Sequence, residues 1–230
     1  MTQPIMDQVH QGLIVSCQAL EDEPLHGAET MAKMARAAQI GGAVAIRANG
    51  IQDITSIKKT TKLPIIGIIK REYRGSDVYI TPTLREVQEL MEAGVDLVAL
   101  DATLRARPNG EKLESLIAYM KERGQKVMAD ISTLDEGIYA ASLGVDCVST
   151  TLSGYTPYSP QKDDPDCDLV MEAVKRLPIP VLAEGKIHTP AQAAQMLKFG
   201  AHAVVVGSAI TRPQLITKRY AAEMKKVFEA

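Results

Sequence analysis

Short, continuous apolar runs alternate along this chain with longer segments that show helical periodicity. The runs are rich in valine and isoleucine, a composition typical of strands that are buried on both faces of a parallel sheet. Eight strands are predicted in this way, at residues 13–17, 43–46, 64–69, 96–100, 126–129, 146–149, 179–183 and 203–206.

The intervening segments carry apolar residues at three- and four-residue spacing, which predicts helices packed against the sheet. Two helix starts are marked by the capping boxes Thr83-x-x-Glu86 and Thr133-x-x-Glu136. Thr189 marks a third, because a proline follows it at the first helical position. Strands that alternate with helices predict a parallel sheet.

A weak internal repeat predicts how many units the sheet contains. The segments GVDLVALD (94–101), GVDCVSTT (144–151) and GAHAVVVG (200–207) each place a strand after a glycine, at a spacing close to two βα units. The fold class predicted is therefore α/β, a (β/α)8 TIM barrel in one domain spanning residues 1–230. An open doubly wound sheet is the structural alternative, although the GxGxxG motif expected after its first strand is absent.

Charge and aromatic content argue against nucleic acid and membrane partners. The formal net charge is −2 with both signs interspersed, and aromatic residues make up only 4% of the chain. No basic patch or base-stacking surface is predicted from such a composition. No apolar stretch is long enough to span a bilayer, and the first twenty residues lack the basic start of a signal peptide.

The cysteine pattern favours a reducing compartment. Cys17, Cys147 and Cys167 form no CxxC pair, and no histidine lies at ligand spacing from another histidine or a cysteine. We therefore expect no structural disulfide, no metal and no other cofactor, and a cytoplasmic location.

Polar residues follow the apolar strands almost without exception. Because the carboxyl ends of the strands form the active-site face of an α/β barrel, these residues are candidates for a site. In chain order they are Gln18, Arg47, Lys70, Asp101, Asp130, Thr150, Glu184 and Ser208.

Strand parity narrows the candidates. Gln18, Lys70, Asp130 and Glu184 end the first, third, fifth and seventh strands, and alternate strands contribute one inward layer. Lys70 and Glu184 should then face each other across the mouth of the barrel. Alternatively, either is a strand-terminal charge without function, and Asp101 is equally compatible with a turn cap or a pair with an arginine.

The segment VVVGSAITRP (204–213) is the strongest local motif. A strand leads through Gly207 and Ser208 into a short helix, an arrangement in which backbone N–H groups favour an anion. Barrels often bind phosphate with the loops after strands seven and eight, which here contain Gly185, Lys186 and Arg212. A simple tight turn is the alternative explanation of the Gly-Ser pair.

Several longer segments resemble one family. The segments AIRANG (45–50), LPIIGIIKR (63–71), MADIST (128–133), CVSTTLSGYTP (147–157) and AEGKIHTP (183–190) are similar to those of the bacterial N-acylglucosamine-6-phosphate 2-epimerases, also called N-acetylmannosamine-6-phosphate 2-epimerases. The resemblance extends from about Gly12 to Tyr220. It implies a phosphate-binding (β/α)8 barrel that inverts carbon 2 of a phosphorylated amino sugar, without metal or nicotinamide.

The resemblance also implies roles for the candidate residues. Lys70 would be the acid/base and Glu184 its carboxylate partner, while Gln18, Arg47 and Asp130 would hold the sugar. Gly185, Lys186, Gly207, Ser208 and Arg212 would hold the phosphate. Burial or a nearby cation such as Arg47 would lower the pKa of Lys70, whereas Glu184 and Asp130 would raise it.

Two other functions use the same features. One is an aldolase or lyase that forms a Schiff base through Lys70, and the other is a non-catalytic sensor of sugar phosphates. The loops 71–82 and 154–168 are long enough to close over a sugar, with Tyr79, Tyr155 or Tyr158 in contact. The C-terminal helix either closes the barrel or contributes to a homodimer.

Overall fold

The predicted apolar runs form parallel strands that hydrogen-bond in chain order, and the barrel closes where β8 pairs with β1. The structure is a computed structural model that describes residues 3–229. The strands are β1 Leu13–Cys17, β2 Ala45–Asn49, β3 Ile65–Ile68, β4 Leu97–Asp101, β5 Val127–Asp130, β6 Cys147–Ser149, β7 Val181–Glu184 and β8 Ala203–Val206. This is the predicted (β/α)8 TIM barrel.

The bounds of β2 differ from the prediction in a way that matters for the site. The strand begins at Ala45 and continues to Asn49, since its ladder with β3 extends to the pair Asn49–Ile68. Arg47 therefore lies inside a strand instead of directly after one. Its side chain therefore leaves the backbone deeper inside the barrel than the side chain of a residue that comes after the end of a strand.

The first helix precedes β1, and the other helices follow strands on the outside of the barrel. Glu86 and Glu136 accept hydrogen bonds from the backbone N–H groups of Thr83 (2.9 Å) and Thr133 (3.0 Å), which confirms the predicted helix starts. The helices are α1 Ile5–Val9, α2 Ala28–Ile40, α3 Ile51–Thr60, α4 Leu84–Glu92, α5 Leu113–Glu122, α6 Leu134–Ser142, α7 Cys167–Arg176, α8 Pro190–Lys198, α9 Ser208–Thr211 and α10 Pro213–Glu229.

The barrel interior is apolar in its middle and becomes polar toward the carboxyl ends of the strands. Ala45, Ile68, Met128 and Leu182 belong to the buried apolar cluster that fills it. Since side chains alternate between the two faces of a strand, the residue two positions further along each strand points the same way. Those positions hold the charged residues Arg47, Lys70, Asp130 and Glu184.

The C-terminal helix does not close its own barrel. Helix α10 contacts the short helix α9, but Tyr220, Met224 and Phe228 are 70%, 66% and 87% exposed. An apolar groove remains open beside β8 and α8. Separately, no helix in residues 3–229 has the length and apolar composition needed to cross a membrane.

Candidate active site

Residues at the carboxyl ends of the strands line one open cavity of about 190 Å³. Lys70 and Glu184 enter it from β3 and β7, which lie on opposite sides of the barrel. The cavity also contains two of the predicted sugar ligands and every predicted phosphate ligand. In chain order these are Gln18, Arg47, Gly185, Lys186, Gly207, Ser208 and Arg212.

Arg47 pairs with two carboxylates at the floor of the cavity. Its Nη1 and Nη2 donate to Asp130 at 3.0 and 2.6 Å, and Nη1 also donates to Glu184 Oε2 at 2.6 Å. A guanidinium is suited to this position because its planar fork presents several donors at fixed angles. Although burial acts to lower the pKa of Arg47, the two carboxylates raise it overall, so this buried side chain keeps its charge.

Asp130 lies behind Arg47 and is fully buried. It points inward from β5 but does not line the cavity, in contrast to Gln18, Lys70 and Glu184. Both of its carboxylate oxygens accept from the guanidinium of Arg47, which does line the cavity.

Local contacts hold the backbone of Lys70 in place. Its N–H donates to Asn49 Oδ1 at 2.8 Å, and the residue forms an isolated antiparallel bridge with Ile80. That bridge arises because loop 69–83 folds back on itself, with Thr81 N donating to Ile69 O at 2.8 Å. The loop predicted as a possible lid contributes Tyr79 and Ile80 to the cavity wall.

The pKa of the Lys70 amine is lowered, which favours the neutral form. Burial, followed by the positive charges of Arg47 and Arg212, lowers its pKa to about 8. Glu184 and Asp130 act in the opposite direction with smaller effect. A lysine with this pKa has a substantial neutral fraction near pH 8 and can accept a proton.

Glu184 is held through its backbone by Thr150. The Thr150 hydroxyl donates to Glu184 O at 2.8 Å and accepts from Glu184 N at 3.0 Å. Burial raises the pKa of the Glu184 carboxyl, and the nearby charge of Asp130 adds to this effect against the opposing pull of Arg47. An amine of lowered pKa therefore faces a carboxyl of raised pKa, a combination typical of acid/base sites.

Glycine turns after β7 and β8 form another part of the cavity wall. Gly185 has φ = 104°, a conformation that L side chains rarely adopt. At Gly207 an added Cβ would lie 3.4 Å from the Ser16 side chain, so the backbone passes close to β1. These turns bring main-chain groups next to the cavity, where a side chain would otherwise stand.

Two cations stand beside these turns. Arg212 pairs with Glu23 of the β1–α2 loop, with Nη2 donating to Oε2 at 2.9 Å. Lys186 donates to the carbonyl of Lys162 and lies 5.4 Å from the ring centre of Tyr155. This part of the cavity is suited to a phosphate or another small anion.

Comparison with known proteins identifies the family of this chain. Residues 31–226 match the family model described as "Putative N-acetylmannosamine-6-phosphate epimerase". The chain belongs to this epimerase family. A Clostridioides difficile protein named "Putative N-acetylmannosamine-6-phosphate 2-epimerase" is 59% identical, with 94% of this chain and 97% of that protein aligned.

Solved structures extend the comparison to three dimensions. The structure described as that of the N-acetylmannosamine-6-phosphate 2-epimerase from Clostridium perfringens is 55% identical, covers 96% of this chain and 97% of its own, and superposes with a TM-score of 0.95. A thiamine phosphate pyrophosphorylase from Pyrococcus furiosus is 17% identical, with 90% and 89% covered and a TM-score of 0.61, which shows a shared fold only. The epimerase family does not favour the Schiff-base lyase or the sensor.

Asp101 and Tyr158 were also candidates in this epimerase-family chain, and both form their contacts outside the cavity. Asp101 is buried and pairs with Arg105 at 2.6 Å, so it serves the turn and not the cavity. Among the tyrosines, Tyr79 and Tyr155 line the cavity, whereas Tyr158 donates to Glu136 at 2.7 Å outside it. Within residues 3–229 no group of three or more His, Cys, Asp or Glu side chains is arranged to hold a metal ion.

Sequence reasoning missed three residues that position the epimerase site. Asn49 holds the Lys70 backbone, Glu23 pairs with Arg212, and Thr151 contacts both carboxylates bound to Arg47. Only Thr151 had a readable signal, because it lies two positions after Ser149 and therefore continues the inward face of β6. Thr150 instead bonds to the β7 backbone.

Proposed function

We propose that this chain interconverts N-acetylmannosamine 6-phosphate and N-acetylglucosamine 6-phosphate by inverting carbon 2. The observation that carries the proposal is one cavity whose wall contains an amine of lowered pKa, a carboxyl on the opposite strand, glycine turns and Arg212. Family membership and the names of the relatives support the choice of substrate.

The chemistry needs a base, an acid and a stabilised oxygen. In the open-chain sugar, carbon 2 lies next to the aldehyde, so loss of its hydrogen as a proton leaves an enolate. Return of a proton to the opposite face inverts the centre and restores the aldehyde. Lys70 takes the proton in its neutral form, and Glu184 orients the sugar and assists ring opening or proton return.

The remaining predicted residues bind and orient the sugar phosphate. Gln18 lies in the cavity wall with its amide donating to Ser16 Oγ at 2.7 Å, which fixes its orientation. Arg47 presents positive charge under the sugar, and Asp130 contributes by holding Arg47. Lys186, Arg212 and the turns at Gly185, Gly207 and Ser208 bind the phosphate.

The test follows carbon 2 of N-acetylmannosamine 6-phosphate by NMR in heavy water. We expect the carbon-2 hydrogen to exchange with solvent while N-acetylglucosamine 6-phosphate accumulates. Because Lys70 must be neutral to act as the base, kcat/KM should rise with pH through about 8. Binding without exchange would indicate the sensor. Inactivation by borohydride only in the presence of substrate would indicate a Schiff base, and either result contradicts the proposal.

A separate prediction concerns the proposed phosphate ligands. Arg212→Gln should raise KM for the sugar phosphate by about 10- to 100-fold, because one charge-assisted contact is lost. It should also move the rise in kcat/KM to higher pH, since the charge of Arg212 lowers the pKa of Lys70. Steady-state kinetics across pH measures both effects. Arg85→Gln, at a side chain 70% exposed on α4, is the matched control, and an unchanged KM in Arg212→Gln contradicts the assignment.

We further infer that the chain forms a homodimer through α10. Tyr220, Met224, Val227 and Phe228 make one exposed apolar stripe on this helix. Beside β8 and α8 an apolar groove of about 390 Å³ stays uncovered by the chain's own α10. Large exposed apolar surfaces are typical of interaction sites, and a second copy supplies a helix and a groove of matching character.

Light scattering tests this inference. The wild-type chain should have about twice the 24.9 kDa mass of one copy. The triple substitution Tyr220→Ser, Met224→Ser and Phe228→Ser should shift it toward a single copy. The double substitution Lys218→Ser and Lys225→Ser on the opposite helix face should leave the mass unchanged. A wild-type mass of one copy would contradict the dimer.

A cytoplasmic location is also proposed. Its support is that Cys17, Cys147 and Cys167 are all free thiols in the described structure.

A further inference from the structure

The Thr151 hydroxyl lies at the centre of the charged network under the cavity. Its Oγ1 is 2.7 Å from Asp130 Oδ1, 3.0 Å from Glu184 Oε2 and 2.8 Å from Ser149 Oγ. Arg47 Nη1 lies 3.2 Å away. Thr151 also forms part of the cavity wall, between the floor of the site and the space for a sugar.

The Thr151 hydroxyl has more neighbouring acceptors than it has hydrogens to donate. The two hydrogens of Arg47 Nη1 have closer acceptors in Glu184 Oε2 at 2.6 Å and Asp130 Oδ1 at 3.0 Å. Thr151 has one hydrogen, so it can donate to either carboxylate but not to both at once. Rotation about its Cβ–Oγ1 bond is enough to exchange one acceptor for the other.

The two carboxylates do not need this hydrogen equally. Asp130 already accepts two parallel bonds from the guanidinium of Arg47, which fix its position. Glu184 accepts one bond from Arg47 and a longer one of 3.2 Å from Ser149, both at Oε2. The orientation of Glu184 therefore depends more on Thr151 than the orientation of Asp130 does.

We propose that Thr151 is a positioning residue for the epimerisation: its hydroxyl lies between Asp130 and Glu184, and it donates its one hydrogen to Glu184 and so fixes the Glu184 carboxylate over Arg47. The inference rests on the proposed function, since Glu184 is the group that it positions. Loss of this hydrogen bond should affect the reacting geometry more than binding, because Thr151 is not one of the proposed phosphate ligands.

Two matched pairs of side chains test the role of the hydroxyl. Thr151→Val keeps the shape and removes the oxygen, and Thr151→Ser keeps the oxygen. We expect Thr151→Val to lower kcat by about 10- to 100-fold with KM changed by less than about threefold, and Thr151→Ser to retain most of kcat. Thr151→Ala, which differs from Thr151→Ser by one oxygen, should behave like Thr151→Val, and it replaces that variant if valine prevents folding.

The outcomes separate this inference from the proposed function. Activity of the wild-type protein in the same NMR assay decides the function itself. With an active wild type, equal loss of kcat in the serine and alanine variants would overturn the role of the hydroxyl, as would full activity in the alanine or valine variant. Thermal unfolding of each variant confirms that a fall in kcat belongs to folded protein.

Discussion

Replacing Lys70 by alanine is expected to abolish exchange of the carbon-2 hydrogen while leaving sugar-phosphate binding nearly intact. A positioned general base contributes about 10²- to 10⁴-fold, so the carbon-2 exchange rate should fall by at least that factor. Binding should survive because the substitution leaves the predicted phosphate ligands in the cavity wall unchanged. Carbon-2 exchange in heavy water and calorimetric titration with N-acetylglucosamine 6-phosphate measure the two quantities separately.

Two further variants sharpen this prediction. Lys70→Arg keeps the positive charge but cannot lose a proton in the accessible pH range, so it should be as inactive as Lys70→Ala. Lys33→Ala removes a lysine whose side chain is 76% exposed on α2, and it should leave the exchange rate unchanged. Substantial exchange in Lys70→Arg would show that Lys70 contributes charge and not base chemistry.

Replacing Arg47 by alanine should have the largest effect on stability. It leaves two buried carboxylates without their shared cation, and loss of one partner from a buried ion pair costs about 3–5 kcal/mol of unfolding free energy. Activity should be lost as well, because Glu184 and Lys70 both lie within the field of this guanidinium. Denaturant unfolding at neutral pH measures the free energy.

A double-mutant cycle identifies the origin of this loss. Adding Asp130→Ala to Arg47→Ala removes one of the stranded carboxylates and should recover part of the lost free energy. Arg85→Ala, at the exposed α4 position, should change the unfolding free energy by less than about 0.5 kcal/mol. If Arg47→Ala were as stable as Arg85→Ala, the buried network would not be a structural element.

Much of the fold could be predicted because its signals are local. Strands buried on both faces must be apolar throughout, and helix starts need a side chain that satisfies free N–H groups, as Glu86 and Glu136 do. The extension of β2 to Asn49 was missed because Arg47 and Asn49 interrupt the apolar pattern. Arg47 is tolerated inside β2 because Asp130 of β5 and Glu184 of β7 provide its partners.

Part of the candidate site could also be predicted from the sequence. The carboxyl ends of all strands meet at one face of the barrel, so Lys70 and Glu184 could be brought together from strand order alone. Glu23 gave no signal, because its pairing with Arg212 joins positions at the two ends of the chain. The direction of the Lys70 pKa was open for a related reason, since it depends on how deeply the amine is buried and on opposing charges from remote positions of the chain.

By itself, the sequence determined the α/β barrel, the face that holds the site and most residues of the cavity, since these follow from periodicity and chain order. Only the tertiary structure decided that Arg47 and not Lys70 neutralises Asp130 and Glu184, across separations of 83 and 137 residues. It also decided that α10 leaves its own barrel uncovered. Interactions of this kind depend on distances between remote parts of the chain, which no local pattern encodes.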